Sequence, residues 1–130
     1  MTMVSSTTVF FCSHILLLAV TQSLLQPSFS AYSCSNGKGN YTANSTYQTN
    51  LDTLLSTFVS TNGNGYGFYN SSYAKNSSNQ VYATELCRGD FLEDACRSCL
   101  NDSSHKITEF CPNQKEALVF YDTCMLRYSN

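Results

Sequence analysis

Apolar residues recur at helical spacing near the middle of the chain, and the residues around them predict where this helix begins and ends. Five of them share one helical face: Tyr47, Leu51, Leu54, Leu55 and Phe58. Asn44 or Ser45 is placed to cap the amino terminus, because either side-chain oxygen can accept a hydrogen bond from a free backbone N–H group. The segment Asn62-Gly63-Asn64-Gly65 has no apolar residue and favours positive φ, so we expect the helix to end there.

A second helix is predicted further along the chain. Asp90 and Glu93 have the spacing of a capping box at its start. Six residues would form its apolar face: Leu92, Cys96, Cys99, Leu100, Ile107 and Phe110. Pro112-Asn113 ends the pattern.

Between and after the helices, runs rich in Tyr, Val and other strand-forming residues predict extended segments. They are Tyr32–Gly39 with a turn-prone end, Tyr66–Tyr73, Gln80–Leu86, Ala117–Tyr121 and Met125–Tyr128. The second and third are joined by the polar connection Ala74–Asn79. Two helices and about five short strands around a single small core predict an α+β domain.

The first 30 residues differ from the rest because they contain no Lys, Arg, Asp or Glu. Their apolar runs are too short to span a bilayer but are typical of a secretory signal, although a basic amino-terminal region is missing. The alternative is a buried amino-terminal helix. Small residues at Ser28 and Ser30 predict cleavage before Ala31. We therefore predict a signal peptide over residues 1–30 and one domain over residues 31–130.

Charge narrows the possible functions of the chain. Seven Lys and Arg against nine Asp and Glu give a formal net charge of −2. This balance argues against nucleic acid or an anionic membrane surface as a partner, because both require a basic patch. No later apolar run reaches the length of about 18 residues that a membrane helix needs, so no membrane anchor is predicted after the signal.

The cysteines predict a disulfide framework. Seven become six when Cys12 leaves with the signal: Cys34, Cys87, Cys96, Cys99, Cys111 and Cys124. An even number in an oxidising compartment implies three disulfides, for which spacing alone leaves about 15 pairings open. Cys96 and Cys99 would lie on one helical face and should reach different partners. A zinc site is a disfavoured alternative, because His105 is the only histidine after the signal. A redox-active Cys96-Arg-Ser-Cys99 is also disfavoured, because Cys96 falls inside the helix.

Five sequons for N-glycosylation agree with secretion. Their acceptor residues are Asn40, Asn44, Asn70, Asn76 and Asn101. If these sequons are used, the segments around them must lie on the surface.

Catalytic groups are not evident, so we predict neither an enzyme nor a cofactor. His105 has no sequence partner for nucleophilic catalysis, and the acidic cluster Asp90, Glu93 and Asp94 is typical of helix-dipole compensation. An aromatic platform for sugar binding is conceivable on the Tyr-rich strand, formed by Tyr66, Phe68, Tyr69 and Tyr73. The alternative, that these aromatic residues are core and sheet surface, is favoured.

The cysteine spacing resembles a plant family. The pattern C-x8-C-x2-C over Cys87–Cys99, Cys111-Pro-Asn-Gln-Lys-Glu-Ala, and the run Tyr121–Asn130 are similar to the ginkbilobin-type domain, also called the salt-stress/antifungal domain. This domain occurs in cysteine-rich repeat secretory proteins and in ectodomains of cysteine-rich receptor-like kinases. The resemblance implies two helices packed on a five-stranded antiparallel sheet. It also implies the pairs Cys34–Cys111, Cys87–Cys96 and Cys99–Cys124.

Three positions that hold mannose in ginkbilobin-like lectins are substituted in this chain. The resemblance assigns an Asn, an Arg and a Glu to the positions of Ser35, Leu118 and Ser129. Leu118 is the most serious change, because an apolar side chain cannot donate the charge-assisted hydrogen bonds of an arginine. We expect that the lectin site is lost.

The leading hypothesis is therefore a secreted apoplastic binding module in plant stress or defence responses, with an unidentified carbohydrate or protein ligand. The alternative is a truncated ectodomain of a two-domain secretory protein or receptor-like kinase. A mannose-binding antifungal lectin is a lower alternative. Self-association through the sheet surface is also open.

Overall fold

The computed structural model describes residues 26–60 and 67–130. In chain order these contain β1 (Phe29–Cys34), a 3₁₀ turn (Asn36–Lys38), α1 (Thr46–Ser60), β2 (Phe68–Tyr73), β3 (Val81–Cys87), α2 (Glu93–Phe110), β4 (Ala117–Tyr121) and β5 (Cys124–Ser129). The predicted α+β fold with two helices, five antiparallel strands and three disulfides is confirmed. The predicted helix end at Asn62–Gly65, the aromatic residue Tyr66 and most of the predicted signal lie outside the described residues.

Helix α1 begins as the sequence predicts. Ser45 directly precedes it, and its Oγ accepts a hydrogen bond from the Gln48 backbone N–H at 3.3 Å. The Gln48 side chain in turn accepts a hydrogen bond from the Asn44 N–H at 2.7 Å. Ser45 is thus the capping residue of the two candidates, and the pairing satisfies two backbone donors at the helix start.

Helix α2 begins differently from the prediction, because Asp90 does not cap it. Residues Arg88 to Phe91 form a turn closed by the Phe91 N–H and the Arg88 carbonyl at 3.3 Å, and Asp90 forms an ion pair with Arg88 at 2.7 Å. The residue at the cap position is Leu92, which makes no side-chain capping bond and is 82% exposed. The capping box and the placement of Leu92 on the apolar face are therefore wrong. The other predicted members of that face are buried or pack against the core.

The strands form one antiparallel sheet in the order β1-β4-β5-β3-β2. Side chains alternate between its two faces, as the burial pattern of β3 shows most clearly. One face packs against both helices and carries the core, whose largest fully buried side chains include Tyr47, Leu51, Val119, Leu126 and Tyr128. We call the opposite side the open face.

All three disulfides join α2 to the sheet. Cys87–Cys96 connects the end of β3 to the first turn of α2, and Cys99–Cys124 connects its middle to the start of β5. Cys34–Cys111 connects the end of β1 to the residue that follows α2. These are the pairs that the family resemblance implies. They hold one helix against three of the five strands.

Strand β1 starts earlier than the predicted extended segment. Phe29 and Tyr32 pack against Phe110 of α2, with ring centroids 4.8 Å and 5.0 Å away. Phe29 also makes an edge contact with Tyr121. The predicted cleavage before Ala31 would remove Phe29 from this cluster, so the signal boundary stays a prediction.

Candidate functional site

An apolar row crosses the open face from one edge of the sheet to the other. The strand register places its members directly opposite one another, one from each strand in the order β1, β4, β5, β3 and β2: Ala31, Phe120, Met125, Leu86 and Phe68. Directly opposed residues share a face and contact each other. The chain therefore places five apolar side chains in a line that no helix of the described residues covers.

The large side chains of this apolar row are more accessible than residues of a core. Phe120, Leu86 and Phe68 are 39%, 43% and 48% exposed. A cavity of about 220 Å³ is lined by Leu86, Phe120 and Met125, among others. Contiguous exposed apolar surface is typical of a site where another molecule binds.

The sequence predicts neither this row nor its position. Tyr82, Thr84 and Leu86 occupy the outward positions of the alternating pattern in β3. That alternation could have indicated an unusually apolar outward face. The row itself depends on the register between strands that are distant in sequence, and single-strand periodicity does not specify this register.

The row next to the apolar row on the open face contains a charged residue, Arg127. Arg127 of β5 lies opposite Thr84 on one side and Leu118 on the other. Its guanidinium forms an ion pair with the Glu116 carboxylate, and this hydrogen bond lowers the pKa of Glu116. The positive charge of Arg127 therefore has a partner within the domain.

The three family positions for mannose lie around this ion pair. Ser35 directly follows β1, and its backbone N–H donates a hydrogen bond to the Glu116 carbonyl at 3.1 Å. Leu118 is opposite Arg127, and Ser129 follows two residues later on the same face of β5. The fold thus brings the three positions to one side of the sheet, where Ser, Leu and Ser replace the polar set that the resemblance implies.

The carboxyl group of Glu85 is buried on the face of the sheet that the helices cover. Glu85 of β3 is fully buried, and its Oε1 accepts a hydrogen bond from the Ser104 hydroxyl at 3.3 Å. Among the residues that the structure describes, none provides a hydrogen-bond partner for its Oε2. Burial raises the pKa of Glu85 to about 8, because the low-polarity surroundings disfavour the charged form. The alternation of residues in β3 indicates that Glu85 faces inward. The pattern of apolar residues in α2 does not reveal that Ser104 is its partner.

The candidate catalytic groups do not converge. Glu93 forms an i,i+4 ion pair with Arg97 at 3.0 Å, and Glu93 and Asp94 lie in the first turn of α2. His105 is exposed, and its Nδ1 lies 2.7 Å from the Asn101 carbonyl. Across residues 26–60 and 67–130, no group of three or more His, Cys, Asp or Glu side chains is placed to hold a metal ion.

The proposed aromatic platform is divided between the two faces of β2. Tyr69 packs against the core, and Tyr73 lies on the same side as Tyr69. Phe68 lies on the open face. The described members of the platform therefore cannot form one surface, because successive side chains of a strand point in opposite directions.

A small domain with three disulfides, a single helix-covered sheet and an apolar open face belongs to the class of cysteine-stapled domains that occur in extracellular proteins. The chain belongs to the salt stress response/antifungal family, whose model matches residues 33–130.

The relatives are secretory and receptor-like plant proteins. The chain is 41% identical over 124 residues to cysteine-rich repeat secretory protein 1 of Arabidopsis thaliana, covering 94% of this chain and 34% of the relative. It is 44% identical over 93 residues to cysteine-rich receptor-like protein kinase 29 of the same plant, covering 72% of this chain and 14% of the kinase. The chain thus spans about a third or less of these relatives.

Solved structures show the same fold. The chain matches the tandem DUF26 ectodomain of the Arabidopsis thaliana cysteine-rich receptor-like protein PDLP8 with a TM-score of 0.71 and 30% identity, over 78% of this chain and 48% of that one. The PDLP5 ectodomain from the same plant gives a TM-score of 0.70 and 26% identity, over 78% of this chain and 50% of that one. Among the described helices, none is both long and apolar enough to cross a membrane.

Proposed function

We propose that this chain is a secreted plant domain that acts by binding in stress or defence responses, and that its open face binds a second domain of the same family. The residue 1–30 segment serves as the secretion signal, and residues 31–130 form the binding domain. Catalysis plays no part in this proposal, because the proposed binding requires only a surface and not a set of reacting groups.

The apolar row carries this proposal. A sheet face that is exposed to water usually carries polar side chains. On the open face, by contrast, each of the five strands contributes an apolar residue to one line. The charge of Arg127 is already neutralised by Glu116, so a partner need not supply a carboxylate. A surface of this kind fits a neutral, apolar partner surface.

A second domain of the same fold offers such a surface. The two solved relatives are tandem ectodomains, and this chain matches about half of each. Two equivalent open faces that stack are self-complementary in chemistry, because each presents the same row. We therefore take a second copy of this chain as the occupant to test.

Sedimentation equilibrium of the secreted protein tests the proposal. We expect the wild-type chain to associate and Leu86→Asp to weaken the association by at least about tenfold, because it places a charge in the centre of the row. Leu92→Asp is the matched control, since Leu92 is exposed but lies at the start of α2, away from the open face. Equal association of all three proteins would contradict the proposal.

A second candidate is that the domain works as one part of a longer two-domain secretory protein or receptor-like kinase ectodomain. The small share of each relative that the chain covers favours this candidate. Finding a second C-x8-C-x2-C pattern in frame downstream of Asn130 in the transcript would establish it, and the open face would then bind the neighbouring domain in the same chain.

Mannose binding is the lower alternative. A glycan array with the secreted protein tests it, and we expect no selective retention of mannose because Leu118 replaces the arginine of the lectin site. Selective retention of mannose would support the lectin function and would show that mannose, and not a second domain, is the principal ligand.

A further inference from the structure

We propose that Asn70 carries an N-linked glycan whose first N-acetylglucosamine packs on the ring of Phe68, so that sugar covers the β2 end of the open face. This inference rests on the proposed secretion, because N-glycans are attached in the secretory pathway. It does not depend on docking of a second domain. The remainder of the apolar row, on β3, β5 and β4, stays open for a partner.

Strand geometry places the aromatic ring beside the glycosylation site. Phe68 and Asn70 are two residues apart in β2, so their side chains point to the same face at neighbouring positions. The register puts Leu86 opposite Phe68 and Thr84 opposite Asn70. A sugar linked to the Asn70 amide therefore emerges next to an apolar pair.

The surroundings of Asn70 match the two chemical faces of a sugar. Phe68, Tyr82 and Leu86 are 48%, 50% and 43% exposed, although large side chains are usually better covered. One side of an N-acetylglucosamine ring presents C–H groups that pack on aromatic rings, while its hydroxyl and acetamido groups form hydrogen bonds. A cavity of about 450 Å³ beside Asn70 is lined by Ser72 and Thr84, whose hydroxyls can donate or accept such bonds.

The other four sequons lack this arrangement. The residues two positions before Asn40, Asn44, Asn76 and Asn101 are Lys38, Thr42, Ala74 and Cys99. None of these four is aromatic, and Asn101 lies in α2, where the residue two positions before it points to a different side of the helix. Asn44 and Asn76 also have positive φ, as turn residues do, so their neighbours do not follow the two-residue repeat of a strand. Asn70 is therefore the sequon at which a glycan would pack on the domain.

The first test is occupancy and trimming. The chain is secreted from a eukaryotic host, and peptide mass spectrometry measures the modified fraction of Asn70. We expect Asn70 to be modified and the melting temperature to stay unchanged when an endoglycosidase trims each glycan to one N-acetylglucosamine. Unmodified Asn70 in protein that is secreted would overturn the inference while leaving secretion intact.

The second test is a double-mutant cycle on the trimmed protein. We expect Asn70→Gln to lower the melting temperature by about 3–6 °C in the wild-type background but to have little effect in Phe68→Ala, because the sugar then has no ring to cover. Asn76→Gln is the control, with little effect in either background. An equal loss from Asn70→Gln with and without Phe68 would overturn the packing.

Discussion

The two faces of this sheet are built from the same strands but differ in what covers them. The inward positions of β3 are all buried beneath the helices, whereas its outward positions Tyr82 and Leu86 are about half exposed. All three disulfides lie on the helix-covered side, where they tie α2 to the sheet. The difference assigns separate tasks to the faces. The covered face carries the disulfides and the core, and the open face is the surface to which we assign the proposed binding.

The largest expected effect comes from the disulfide that closes the longest loop on the covered side. Cys34 and Cys111 are 77 residues apart, whereas Cys87 and Cys96 are nine apart. The loop-entropy model gives a stabilisation of roughly 4–5 kcal/mol for the first pair and roughly 2.5 kcal/mol for the second. In thermal melts, the double Cys→Ser variant at Cys34 and Cys111 should therefore lose more melting temperature than the variant at Cys87 and Cys96. Equal losses of melting temperature would contradict this ranking.

A pair of leucines compares the two faces directly. Leu126 is fully buried on the covered face, and Leu86 is half exposed on the open face. We expect Leu126→Ala to reduce the free energy of unfolding by about 2–5 kcal/mol, because it leaves a cavity, and Leu86→Ala by less than about 1 kcal/mol. Denaturant titrations measure both, and similar losses would show that the open face is also part of the stabilising core.

The last expected effect depends on pH and concerns the buried carboxyl group. Glutamate in the unfolded chain ionises near 4.5, and burial raises the pKa of Glu85 to about 8 in the folded chain. Between these values the folded state binds more protons, so Glu85 lowers the free energy of unfolding as pH rises, by at most about 1.4 kcal/mol per pH unit. This contribution is fully present below pH 4.5 and lost by pH 8.

Unfolding of Glu85→Gln over the same pH range isolates this contribution. The amide keeps the shape of the side chain but does not titrate, so the difference in unfolding free energy between the two proteins should change from about pH 5 to 8. A difference that stays constant with pH would contradict a protonated Glu85 in the folded domain.

The sequence predicts the parts of the fold that depend on local pattern. The start of α1 at Ser45 follows from capping chemistry, and the strand Ala117–Tyr121 follows from its apolar run. The start of α2 does not, because Arg88–Phe91 form a turn and Asp90 forms an ion pair with Arg88 and does not cap the helix. A local rule fails here because a second local interaction, the ion pair with Arg88, engages the same carboxylate.

The sequence does not predict the candidate binding surface, because that surface depends on how distant strands pair. Phe120, Met125 and Leu86 become neighbours only through the register of three strands, and β3 and β5 are separated by the whole of α2. Hydrophobic periodicity indicates which residues share a strand face but not which residues stand opposite each other. The cysteine pattern, in contrast, is a property of spacing alone, and it predicts the family correctly.

A dilution series of nitrogen-labelled protein in two-dimensional NMR tests the central claim most directly, because it shows where a second copy binds. We expect concentration-dependent shifts at the backbone amides of β3, β4 and β5 around Leu86, Phe120 and Met125, with none along α1. Shifts confined to the helices, or no shift at any concentration, would contradict the claim that the open face is the binding surface.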